Sequence, residues 1–415
     1  MPGRWLALLG LAVADPGLAA PGAARGAPAV AKARDPDVGC DMTCMVESRG
    51  YAIERHYATT PDGYILGMFR MPRAKGEQAG SARKKQVVYL NHALLDSSWA
   101  FVCNGPSESL GFLLADAGYD VWFGNNRGNQ YSTNHSFLAL DSKAYWDFSY
   151  DQMALLDLPT HIEYVLAATG AKTLSYIGHS QGTIQAFAGF SVNQTVASKV
   201  NIFVALAPVA YVHHAQSLLI RLMMELRMDV IFERLGIKEF LPQSTGIQQI
   251  GPLICEASPW VCDRILQAVV GPSHHMNGSR LDVYVSETPS GTSTKNLVHW
   301  GQGMRSEVFQ MFDEGSIAKN VARYGQAAPP AYDLGQVRVP TVLVTGRKDY
   351  LANPRDVSRL VASLPPGVLR RHIDLPDYAH LDFTWSVTAK TAFYDQVLSM
   401  IREAQPAAEE TTVLV

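Results

Sequence analysis

The sequence predicts an α/β protein with a mostly parallel central sheet, helices on both faces and one large insertion. Three observations predict it. Short apolar runs alternate with helical segments from Val87 to Leu206, the pattern of strands buried on both sides. The alternation stops after Val212 and resumes at Pro340, so the core is split in sequence. Between one apolar strand and one apolar helix stands Gly178-His179-Ser180-Gln181-Gly182, a tight turn with a serine at its apex.

The elements follow in order. Arg4 precedes an apolar stretch from Trp5 to Ala14, and Ala12-Val13-Ala14 has the small-x-small form of a signal-peptidase site. This run is far shorter than the roughly 20 residues of a membrane span, so residues 1–14 read as a secretory signal peptide. The Ala-, Gly- and Pro-rich stretch behind it leaves the cleavage point open up to about residue 36. Ala52 to Thr59 and Tyr64 to Arg70 read as strands joined by the turn Pro61-Asp62-Gly63. A basic loop from Arg73 to Lys85 leads into the buried strand Val87 to Leu90. Leu110 to Ala117 is a helix, Tyr119 to Phe123 a strand and Tyr150 to Ala168 a long amphipathic helix. Thr173 to Ile177 is a strand, Gln181 to Val192 a helix and Ile202 to Leu206 a strand.

Residues 213–331 break this rhythm with an amphipathic helical stretch, Leu218 to Leu235, two cysteines and many Gly, Pro and Ser residues. The strand Pro340 to Thr345, the helix Pro354 to Leu364, the strand His372 to Leu375 and the helix Lys390 to Glu403 restore it. The expected organisation is a core in two parts, residues 37–212 and 332–403, split by a cap or docking insertion, 213–331, and ending in a frayed tail, 404–415.

Composition narrows the function. Hydrophobic residues make up 47% and charged residues 18%, which describes a globular chain with a sizeable core. A formal net charge of -3 argues against a nucleic-acid partner and against a strongly basic membrane patch. After the signal peptide no stretch reaches transmembrane length. The sequons at Asn134, Asn193 and Asn277 become glycan candidates on the secretory route. Of the 5 cysteines, Cys255 and Cys262 enclose a short loop with Pro259 and are the best disulfide candidates. Cys40 and Cys44 pair with each other, or one of them reaches Cys103. No Cys or His spacing has zinc-ligand form, and no metal or cofactor is expected.

Ser180 follows an apolar strand and opens an apolar helix, the context in which the G-x-S-x-G turn lifts a hydroxyl clear of the backbone. The bland reading is a buried structural serine. A serine hydroxyl is a poor nucleophile until a base takes its proton, and the base needs a carboxylate to hold its tautomer. In the α/β-hydrolase fold the chain order is Ser, acid, His. The candidate acid is Asp349, just past the strand Thr341 to Thr345, and the candidate base is His380. Asp356 reads instead as a surface or capping residue of its helix, Asp374 lies within a strand, and Asp377 and Asp382 flank the histidine too closely to orient its ring. His179 reads as packing, and His213, His214, His274, His275 and His299 as structural or solvent-facing. The oxyanion donors fall on the backbone N–H of Gln181 and of Leu94, with Ala93 or Leu95 as register alternatives.

At this point the chain resembles the acid lipases, the group of lysosomal acid lipase, gastric lipase and their relatives. The segments that carry the likeness are Thr60-Pro61-Asp62-Gly63-Tyr64, Asn126-Arg127-Gly128-Asn129, Gly178-His179-Ser180-Gln181-Gly182, Ser279-Arg280-Leu281-Asp282 and His380-Leu381-Asp382-Phe383. The resemblance implies an esterase of triacylglycerols or sterol esters with Ser180, Asp349 and His380 as triad and Leu94 and Gln181 as oxyanion donors. It implies a lid-bearing cap with a Cys255–Cys262 disulfide, transient contact with a lipid droplet or micelle surface, and a lysosomal, vacuolar or extracellular location. One departure stands out: Ala93 occupies a position where the family usually has glycine. The amphipathic stretch containing Leu218, Leu222 and Arg221 lies over the site, dips into a lipid interface, or buries its apolar face on the core. The competing functions are a carboxylesterase for smaller soluble esters and a noncatalytic binding protein on a hydrolase scaffold.

Overall fold

A computed structural model describes residues 34–404 apart from 79, 81–84, 226–230, 233–235 and 242–245. The expected signal peptide, the tail from 405 onward, and Leu226 to Val230 of the amphipathic stretch lie outside the described residues. The main sheet comprises β1 (Glu54–Thr59), β2 (Tyr64–Met71), β3 (Val87–Asn91), β4 (Asp120–Gly124), β5 (Asn134–His135), β6 (Leu174–His179), β7 (Val200–Leu206), β10 (Thr341–Gly346) and β11 (Leu369–Leu375). Its order is β1-β2-β4-β3-β6-β7-β10-β11, with β5 on β2. From β4 to β11 every neighbour is parallel, while β1, β2 and β5 add an antiparallel end.

The four strands β3, β4, β6 and β10 are buried at every position, which is why they read as unbroken apolar runs. The edges β1 and β11 carry exposed residues and were harder to delimit. Helices Leu110–Asp116, Leu158–Thr169, Gln181–Val192 and Pro354–Ser363 pack around this sheet. The long helix expected from Tyr150 is interrupted: a turn at Tyr150–Gln152 passes into a π-helical turn, Met153–Asp157, before the regular helix begins at Leu158. Pro159 has no N–H for the carbonyl of Leu155, so the regular ladder cannot run through this point. The last helix likewise opens with a π turn, Lys390–Tyr394.

Between β7 and β10 the described residues carry several helices beyond the one amphipathic stretch expected. They contain Leu218–Glu225, Ile247–Ala257, Pro259–Val270, Leu281–Glu287, Thr294–Arg305 and Ile317–Tyr324, with a two-stranded ribbon of β8 (Glu239–Phe240) and β9 (Thr292–Ser293). Pro252 sits inside one of these helices and Pro259 starts the next, and these residues masked the helical pattern in sequence. Disulfides join Cys255 to Cys262 and Cys40 to Cys44, and Cys103 is a buried free thiol. Asp356 corrects its sequence reading. It is 2% exposed, and it accepts the backbone N–H and the Nδ1 of His214 at 2.8 Å each, tying the start of the inserted segment to the core.

Candidate active site

Ser180 caps β6 and opens the helix Gln181–Val192 with φ 52 and ψ -113, a strained conformation for a residue with a Cβ. Its N–H donates to Leu206 on β7, and its carbonyl accepts the N–H of Thr183 at 2.7 Å, so both sides of the turn are held. The flanking glycines are required by contact. A Cβ on Gly178 would stand 2.8 Å from the backbone of Gly182, and one on Gly182 would stand 2.5 Å from the Asn91 carbonyl oxygen. The serine turn and the loop after β3 are therefore in direct contact.

The Ser180 hydroxyl donates to Nε2 of His380 at 2.6 Å. Nδ1 of His380 lies 2.8 and 2.9 Å from the two oxygens of Asp349. Asp349 also accepts the N–H groups of Leu351 and Ala352 at 2.8 Å each, which fixes its carboxylate toward the ring. The His380 backbone is set from two sides. Its N–H donates to Val270 at the end of the inserted helix Pro259–Val270, and its carbonyl accepts Nε2–H of His179 at 2.9 Å. Three side chains distant in sequence thus form one hydrogen-bonded relay at the carboxyl ends of β6, β10 and β11. Such an array can move a proton from a hydroxyl to an imidazole whose charge a carboxylate stabilises.

A profile of the α/β hydrolase fold matches residues 86–387, and one described as a partial α/β-hydrolase lipase region matches residues 42–105. Gastric triacylglycerol lipase from Bos taurus is 40% identical over 376 residues, covering 89% of this chain and 93% of that protein. Lysosomal acid lipase/cholesteryl ester hydrolase from Homo sapiens is 37% identical over 374 residues, with 89% and 93% covered. The chain belongs to the acid lipase family. Among solved structures, a soluble variant of monoglyceride lipase from Saccharomyces cerevisiae shares the fold, with TM-score 0.52 at 14% identity, covering 86% of this chain and 96% of that one.

In this acid lipase one of the two predicted donor residues, Gln181, directly follows Ser180 in the chain. Gln181 is the first residue of its helix, where backbone N–H groups have no intrahelical acceptor. Leu94 lies on the loop after β3, and the turn there is made by Leu95, at φ 58. Ala93 is absent from the positions with positive φ, so its methyl group costs no backbone strain. Leu94 and Leu95 pack against a small cluster of Phe232, Phe240 and Leu297 from the inserted segment.

Several functional neighbours had no sequence signal. Oε1 of Gln181 accepts both Nδ2 of Asn296 at 2.8 Å and Nε1 of Trp300 at 2.9 Å, so the inserted helix Thr294–Arg305 grips the residue after the serine. His299 on that helix stacks on Tyr150 at 3.7 Å, and burial lowers its pKa. Asp382, set aside as a decoy, accepts the Ala379 N–H at 2.7 Å and the Ser273 hydroxyl. Burial raises its pKa to about 6. It shapes the turn that carries His380. Asp374 pairs with Arg347 at 2.7 Å, and Asp377 is exposed. Among the glycan candidates, Asn134 is exposed, while Asn193 and Asn277 are half-buried and accept the N–H of Val196 and Ser279.

Proposed function

We propose that this chain hydrolyses the carboxylic ester bonds of lipids, triacylglycerols or sterol esters, through an acyl-enzyme on Ser180. The observation that carries the reading is the unbroken relay from Ser180 through His380 to Asp349 in a chain 40% identical to a triacylglycerol lipase. Ser180 Oγ attacks the ester carbonyl as Nε2 of His380 takes its proton, while Asp349 stabilises the imidazolium. The backbone N–H groups of Leu94 and Gln181 receive the oxyanion. Collapse of the tetrahedral species expels the alcohol with the proton from His380, and water then frees the fatty acid by the same steps in reverse.

Ser180 and His380 are only 1% and 2% exposed, so residues 213–331 act as a cap that must shift before an ester enters. Contact with a droplet or micelle surface supplies the occasion for that shift. In the helix Leu218–Glu225, Ile220 faces the core while Leu218 is exposed, so one edge of the helix is free for a lipid surface. Among the described residues no helix is long and apolar enough to cross a membrane. The proposed location is the secretory pathway, ending in a lysosome or outside the cell.

The test is a panel of emulsified triacylglycerol, sterol ester and dissolved short-chain ester, with Ser180→Ala as control. Release of long-chain fatty acid by the wild type and background rates for the variant support the reading. Turnover of the short-chain ester alone would favour a soluble carboxylesterase, and activity surviving in Ser180→Ala would remove the nucleophile.

A further inference from the structure

We infer that His92 is a positioning residue for the oxyanion donor: held as its Nδ1–H tautomer, it grips the peptide plane whose N–H belongs to Leu94. The inference rests on the reading of Leu94 as a donor.

The tautomer follows from the partners. Nε2 of His92 lies 3.0 Å from the backbone nitrogen of Asn126, which can only donate. Nε2 is therefore bare. A second donor agrees. Nδ2 of Asn129 lies 3.1 Å from the same ring nitrogen, and the amide orientation is set because its Oδ1 accepts the N–H of Tyr131 at 3.0 Å. The proton of the neutral ring is then on Nδ1, which donates to the carbonyl oxygen of Ala93 at 2.8 Å. That carbonyl and the Leu94 N–H belong to one planar peptide unit and point in opposite directions across it. Fixing the oxygen on the His92 side aims the N–H away, and the donated bond polarises the amide toward stronger donation. His92 is 3% exposed, and burial pushes its pKa down to about 4, so the ring keeps this tautomer through the mildly acidic range. The backbone of Asn91 and His92 lies against Gly182, so the loop that carries the gripped peptide packs on the serine turn.

Two half-replacements separate this role from ordinary packing. His92→Asn keeps a δ-nitrogen able to donate to Ala93 but offers nothing to Asn126. His92→Gln places an acceptor near Asn126 but no donor at Ala93. Both are expected to lower the melting temperature. On a dissolved short-chain ester, His92→Gln is expected to lose about 10-fold or more in kcat with little change in KM, as befits a misaimed oxyanion donor. His92→Asn is expected to stay close to wild type. Equal kcat losses in the two variants, or a wild-type kcat in His92→Gln, would overturn the inference. Nitrogen-15 NMR of histidine-labelled wild-type enzyme keeps it testable if a variant does not fold: a protonated Nδ1 and bare Nε2 support it, and the reverse overturns it. Ser180→Ala separates the two readings, since its inactivity alongside an unimpaired His92→Gln would sink this inference alone.

Discussion

Arg127 is 1% exposed, and every charge it meets is opposite. It forms a bidentate pair with Asp62 at 2.6 and 3.0 Å, reaches Asp157 at 2.8 Å, and stacks over Tyr64 at 3.9 Å. This clamp holds the loop Asn126–Asn129 that grips His92. Removing one partner of a buried pair strands the other charge. Arg127→Met is expected to cost about 3–5 kcal/mol in urea unfolding; a cost below about 1 kcal/mol would mean that Asp157 finds another partner. Asp349→Asn preserves shape but favours the wrong imidazole tautomer. A fall of about 10⁴-fold in kcat with little change in melting temperature is expected, and a fall below about tenfold would disconnect Asp349 from the base. Ser180, Asp349 and His380 could be named from sequence because their chemistry, chain order and strand-end placement coincide. The contacts of Arg127 and Trp300 could not, since no motif marks their partners Asp62, Asp157 and Gln181.

At the scale of elements, legibility followed burial. The helix Gln181–Val192 and the buried strands were read nearly to the residue, because fully buried strands have no polar face to interrupt the pattern. The helices from Ile247 to Tyr324 were not, because Pro and Gly punctuate them and much of their apolar surface meets the core only after folding. The helix Thr294–Arg305 shows what such an element contributes. Its Asn296 and Trp300 fill Oε1 of Gln181. Trp300→Phe removes one of these donors and keeps the ring. A stability loss of about 1 kcal/mol is expected, with a kcat decrease larger than any KM change. Unchanged stability and kcat would show that Asn296 alone holds the glutamine.

Across the whole molecule, buried ionisable groups pull stability in two directions. Burial raises the pKa of Asp96, Glu239 and Glu287 to about 7, so each costs stability as pH rises from the ordinary carboxylate value through 7. Burial lowers His161 and His179 to about 3, so each costs stability as pH falls below the ordinary imidazole value. Glu287→Gln isolates the first set. Its melting temperature should match wild type in acid and exceed it increasingly as pH rises through about 7. A difference that stays constant with pH would show that Glu287 does not titrate as its burial implies. The sequence by itself determined the α/β class, the serine turn and Ser180, Asp349 and His380 as the residues to look for, because backbone preference and side-chain chemistry are local properties. Only the tertiary structure decided which side chains of the inserted segment hold Gln181 and how the loop after β3 is held. Those depend on contacts between segments more than 30 residues apart, such as Arg127 with Asp62 and Gln181 with Trp300, and no local pattern encodes them.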